Sequence, residues 1–167
     1  MILKYFSKDF KITSIILIII FLIDRISKEY IIFLGDQNYN SEIYLSSFLN
    51  IILIWNDGIA FGLLSFEDKT IYNYITILIS SVVIILLFLI SRTKKFKKFS
   101  YIIITGGALG NLFDRIIYNS VPDFIDLHYN GFHWFVFNVA DIFITIGVIC
   151  MILTELIASN KKKHEDI

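Results

Sequence analysis

Four long apolar blocks separated by polar segments restrict this chain more than any other feature. They run over Ile12–Leu34, Thr70–Ile90, Phe99–Tyr118 and Asn138–Ala158, each close to the roughly 20 residues that cross a bilayer core as a helix. Their Ile, Leu and Phe come as continuous runs rather than one-sided stripes, which is the pattern of helices that face lipid. Of the 167 residues, 56% are hydrophobic, above the about 45–50% of soluble domains. The expected fold class is an all-α membrane protein with four transmembrane helices, forming a single membrane-embedded domain over residues 1–167. Lys4, Lys8 and Lys11 ahead of the first block mimic the basic flank of a signal peptide. No small-residue cleavage site follows, and Asp24-Arg25 comes instead, so the block is expected to be retained as a helix.

Charge placement orients the spans. The N-terminal segment carries Lys4, Lys8 and Lys11, and the loop between spans two and three carries Arg92, Lys94, Lys95, Lys97 and Lys98. The C-terminal segment carries Lys161, Lys162 and Lys163. With four spans these segments share one side, and the positive-inside rule makes that side cytoplasmic. Two loops then face outward, about 35–69 and 119–137. Within the first, Ile43–Trp55 is rich in Ile, Leu and Tyr with weak alternation, which predicts short strands at the membrane interface. Asn56-Asp57-Gly58 supplies a turn.

Several classes drop out. Net charge is zero, and no basic patch interleaved with aromatics exists for a nucleic-acid partner. The single cysteine, Cys150, sits in an apolar run and reads as a packed or lipid-facing thiol. Nothing calls for a cofactor.

The informative residues are the polar groups at the span ends, because charge within hydrocarbon costs several kcal/mol unless paired or wet. Asp24, Arg25 and Lys28 lie late in span one, and Asn111, Asp114 and Arg115 late in span three. Both spans run outward. Asn138 and Asp141 open span four, and Asp123 sits in the outer loop just after span three. All are expected near one depth, the outer interface. Asp24 and Lys28 are four apart and can pair; Gly107, Asn111 and Arg115 share a stripe, while Asn138 and Asp141 are three apart. Gly106 and Gly110 form a GxxxG spacing suited to close helix packing.

Two carboxylates held together cannot both ionise cheaply, so one keeps a proton while the other acts as a base. Such a pair can activate water and donate to a peptide carbonyl. Asp24, Asp114, Asp123 and Asp141 are all eligible, with Asp126 nearby. Asp24 has Lys28 as a ready partner, and Asp114 precedes Arg115 and is read as holding that guanidinium. Asp123 and Asp141 lack an adjacent basic residue, which favours them without deciding the matter.

Four blocks then resemble the lipoprotein signal peptidase (signal peptidase II) family, in its order and spacing. They are Asp24-Arg25-Ile26-Ser27-Lys28, Asn56-Asp57-Gly58-Ile59-Ala60-Phe61-Gly62, Gly106 through Arg115 followed by Val121-Pro122-Asp123-Phe124, and Phe137-Asn138-Val139-Ala140-Asp141. The resemblance implies an aspartic endopeptidase of the bacterial cytoplasmic membrane with Asp123 and Asp141 as its dyad. Asp24, Lys28, Asn56, Asn111, Arg115 and Asn138 would shape the site, with Gly107 and Asp114 beside them. Its substrate would be the signal peptide of a diacylglyceryl prolipoprotein, cut just before the lipidated cysteine. A small β-sheet cradle would form from the first outer loop, and one chain supplies every group, so a monomer suffices. Two departures are visible: Arg25 stands where the family often has Gln, and Pro122 where Val is common. Proline fixes φ and holds Val121 extended.

His128 and His133 raise the question of a metal. Their spacing lacks the His-Glu-x-x-His pattern of a zinc peptidase, and with Tyr129, Phe132 and Trp134 around them they read as an interfacial aromatic belt. No metal is expected. A proton-coupled transporter would place its carboxylate near mid-membrane in a plain helix, unlike the interface cluster here.

Overall fold

The structure is a computed structural model that describes residues 8–37, 42–58 and 69–165, with side chains up to residue 159 except that of Lys69. Lys4, the Ile59–Gly62 part of the second block and the side chains of Lys161–Lys163 lie outside the described residues. Four long helices are present: α1 (Lys8–Asp36), α2 (Lys69–Arg92), α3 (Lys95–Tyr118) and α4 (Val139–Glu165). Each extends past one or both ends of its apolar block, because the basic flanks continue the helix into the polar zone. At 1.5 Å per residue the 29 residues of α1 reach about 43 Å.

The burial pattern is inverted relative to a soluble protein. Ile18, Leu22, Ile26, Leu78, Ile84, Phe88, Ile149 and Leu153 are exposed, while Asp24, Lys28, Asp114 and Asn138 are fully buried. Thr70–Arg92 and Val139–Ser159 are long and apolar enough to cross a membrane, and only 11% and 6% of their apolar windows are buried. The core helix of a soluble protein would be mostly buried, so these two need an apolar surrounding. α1 and α3 carry the charged and amide residues that lower their hydropathy.

α3 is the central helix and packs against α1, α2 and α4. Glycine makes this possible. A Cβ on Gly106 would meet Ile20, and one on Gly110 would strike Asp24 Oδ2. The four-residue spacing on α3 thus matches a four-residue spacing on α1. Gly107 faces the other way, against the Ala140 carbonyl and Ile144 of α4. Lower down, Leu86, Ile90, Tyr101, Ile102 and Ile104 form an apolar core.

A four-stranded antiparallel sheet, ordered β1-β2-β3-β4, sits at the polar end of the bundle. β1 (Glu42–Ser46) and β2 (Leu49–Asn56) come from the first loop, as the alternation there predicts. β3 (Val121–Tyr129) and β4 (Phe132–Phe137) come from the second. This corrects the expectation of a cradle built from the first loop alone. The two halves join where Ile54, Trp55 and Asn56 pair with Asp123, Pro122 and Val121. The β3–β4 turn is Asn130-Gly131, both at positive φ (49° and 79°), the arrangement a tight two-residue hairpin requires.

Candidate active site

The site grows from the start of α4. Asn138 caps this helix: its Oδ1 accepts the Asp141 N–H at 3.1 Å, and Asp141 Oδ2 accepts the Asn138 N–H at 3.1 Å. This is a reciprocal capping box with Asn and Asp in place of the usual pair. The Asn138 side chain has an amide group left over, and its Nδ2 donates to Asp123 Oδ1 at 2.6 Å. One residue therefore holds both carboxylates. Asp123 is on strand β3 rather than in a loop. Its Oδ2 accepts from Asn56 Nδ2 at 2.8 Å across the β2–β3 pairing. Asn56 Oδ1 accepts the Gly58 N–H at 2.8 Å, closing the expected turn.

Beneath the pair lies a charge cluster. Lys28 Nζ donates to Asp24 Oδ2 (2.8 Å), Asp114 Oδ2 (2.7 Å) and Asn111 Oδ1 (2.8 Å), which uses all three of its protons. Because Asn111 gives its oxygen to Lys28, its Nδ2 is left to donate to Asp141 Oδ1 at 2.8 Å. Asp24 Oδ1 accepts the Ala140 N–H at 2.9 Å, which ties α1 to the first turn of α4. The i, i+4 pairing of Asp24 with Lys28 is as the spacing predicts.

Asp114 does not hold Arg115. Its Oδ1 faces Arg25 Nη1 at 2.5 Å, and Arg25 also lies over the Phe113 ring. Adjacent helical residues point about 100° apart, so the neighbour in sequence is not the neighbour in space. Arg115 instead donates through Nη2 to the Gly58 carbonyl and stacks over Tyr72, pinning the turn that carries Asn56. The Arg25 departure thus has a partner. Pro122 is fully buried within β3.

Asn56, Asn111, Arg115, Asp123, Asn138 and Asp141 line one cavity of about 530 Å³. Its remaining walls are mostly apolar: Ile79 of α2, Ala108 of α3, and Ile144, Thr145, Val148 and Ile149 of α4. The cavity therefore follows α4 for two turns below Asp141. These wall residues were not singled out in the sequence, although Thr145 and Val148 follow Asp141 at helical spacing. Asp123 is 2% exposed, and burial, followed by the charge of Asp141, pushes its carboxyl up to about 6 against the Asn56 and Asn138 hydrogen bonds.

The sequence profile of the signal peptidase (SPase) II family matches residues 16–157. The chain belongs to this family. The lipoprotein signal peptidase of Pelagibacter ubique (strain HTCC1062) is 51% identical over 158 residues, covering 95% of each chain. That of Rickettsia africae (strain ESF-5) is 39% identical, covering 98% of this chain and 81% of its own. A bacterial membrane enzyme solved by the in meso method superposes with a TM-score of 0.75 at 30% identity, over 91% of this chain and 92% of the other. As a signal peptidase II the chain is a peptidase, a hydrolase of membrane character.

The β3–β4 hairpin holds a further cluster, around the two histidines that the His-Glu-x-x-His pattern does not cover. His128 and His133 are direct cross-strand partners with stacked rings, and Asp126 reaches both. Tyr129, Phe132 and Trp134 are exposed beside them, consistent with an aromatic belt. The overlooked signal was Asn130-Gly131, which folds the two histidines onto each other.

Proposed function

We propose that the chain is an aspartic endopeptidase that removes the signal peptide of diacylglyceryl prolipoproteins, cutting just before the lipidated cysteine. The observation that carries this reading is the grip of Asn138 on both Asp123 and Asp141 in the wall of one largely apolar cavity. With one proton on the pair, the ionised carboxyl takes a proton from water as its oxygen attacks the scissile carbonyl carbon. The other carboxyl donates its proton to the carbonyl oxygen. Collapse of the tetrahedral intermediate breaks the C–N bond, and the amine leaves with a proton returned from the pair. Asn111 and Asn138 keep the carboxylates fixed, and Asn56 holds Asp123 from the opposite side. The apolar strip along α4 suits a signal peptide or acyl chain entering from lipid.

In this reading all four helices span the cytoplasmic membrane, both termini face the cytoplasm, and the sheet and dyad lie at the outer face. One chain supplies every group, so a monomer is sufficient. The test is cleavage by purified protein of a diacylglyceryl prolipopeptide and its unlipidated form. The lipidated peptide alone should be cut. Asp123→Asn and Asp141→Asn should each lower turnover by about 10²–10⁴-fold while remaining folded; full turnover by either variant would remove it from the dyad.

A further inference from the structure

The β3–β4 hairpin places a carboxylate and two imidazoles within coordinating reach of one another. Asp126 Oδ2 lies 2.8 Å from His133 Nδ1 and 3.7 Å from His128 Nδ1. One ligand atom from each of the three residues falls within 4.8 Å of the other two. Ligands on a tetrahedral zinc ion, bound at 2.0–2.1 Å, stand about 3.3 Å apart. The 2.8 and 3.7 Å separations bracket that value, so small rotations would complete the geometry.

Two independent features say that something is meant to sit there. Asp126 is 1% exposed, and its Oδ1 makes no hydrogen bond among the described residues. The buried Nδ1 of His128 makes none either. Asn50, directly opposite Asp126 in the β2–β3 register, has a buried Oδ1 in the same condition. A buried acceptor without a partner costs about 1–3 kcal/mol, and such atoms are rare in native structures. Here they occur on neighbouring strands, Asp126 and His128 on β3 and Asn50 opposite on β2. The hairpin backbone also fixes the donors. His128 pairs directly with His133, the His128 N–H donates to the Phe48 carbonyl at 3.1 Å, and the positive-φ turn begins two residues from each histidine. The His133 side chain is 56% exposed, which leaves an approach from solvent and an open fourth position.

We propose that Asp126, His128 and His133 form a binding site for a divalent cation of the zinc class. The donor set is one carboxylate oxygen and two imidazole nitrogens, which suits zinc or cobalt and disfavours calcium or magnesium. With water in the fourth position, the cation fastens β3 to β4, and β3 is the strand that carries Asp123. The site uses none of the groups around Asp123 and Asp141, so it stands or falls separately from the aspartic mechanism.

The experiment titrates zinc, by calorimetry, and cobalt, by visible absorption, into full-length protein without a polyhistidine tag, after chelator treatment and its removal. The expected result is one ion per chain, a tetrahedral cobalt spectrum, and a zinc-dependent rise in thermal midpoint. His128→Ala and His133→Ala should each weaken binding at least about tenfold and abolish the rise. Asp141→Asn should bind zinc as the parent does. Because His133 is half exposed, its variant tests the site even where Asp126→Asn fails to fold. No saturable binding, binding unchanged in both histidine variants, or binding lost in Asp141→Asn would overturn the proposal.

Discussion

Lys28 governs the site without touching either carboxylate of the pair. Fully buried, it neutralises Asp24 and Asp114 and turns the Asn111 amide so that its Nδ2 meets Asp141. Lys28→Met would leave two buried carboxylates with Arg25 as their remaining cation, a loss of the order of 3–5 kcal/mol. A thermal midpoint within a degree of the parent would contradict that role. Part of this was legible in the sequence: Asp24 and Lys28 share a helical face and do pair. The partner of Asp114 was not, because chain adjacency to Arg115 is no guide on a helix and Arg25 arrives from a different one. Asp123 has its own pH signature. Its carboxyl is raised from 3.8 to about 6 in the folded protein. Between those values the unfolded chain gives up the proton while the folded chain keeps it, so stability falls as pH rises through this window and levels off above it. The loss is about 3 kcal/mol. The thermal midpoint of the parent should therefore drop more from pH 4 to pH 6 than that of Asp123→Asn. In the proposed mechanism kcat/KM declines above about pH 6, as the last proton leaves the pair.

The glycines of α3 set the spacing between helices, and through it the position of the site. Gly110→Ala would push a methyl group onto Asp24, whose other oxygen holds the Ala140 N–H at the head of α4. Overpacking of this kind costs about 1–3 kcal/mol; here it should also lower turnover, since Asn138 and Asp141 sit on that same turn. Equal stability and equal turnover in the variant would show that α1 can yield. The GxxxG spacing made this packing readable in advance. The sheet was only half readable. Alternation over Ile43–Trp55 announces β1 and β2, but the joining of Asn56 to Val121 spans two intervening helices and leaves no local pattern. Asp123 was expected in a loop for that reason, and its strand partner emerges only once β2 is in place.

On the scale of the whole molecule, the inverted burial pattern agrees with the apolar blocks, and the polar residues do gather at one end of the bundle. Orientation rests on the lysine tracts and has a direct check. With Cys150 replaced by Ser, single cysteines at Lys94 and Asn130 should react with a membrane-impermeant maleimide from opposite sides of sealed vesicles. Labelling of both from one side would refute four spans. The sheet has a consequence in time as well as in space. Asp123 receives its two amide donors from Asn56, made early, and from Asn138, made late. Asp141 rides on α4, which is translated after α1, α2 and α3. In the proposed mechanism, a nascent chain that carries α1, α2 and α3 but not yet α4 with its cap lacks Asn138 and Asp141, so it is inert until α4 docks. On that mechanism, assembly itself acts as the safety catch that pro-segments supply in secreted proteases.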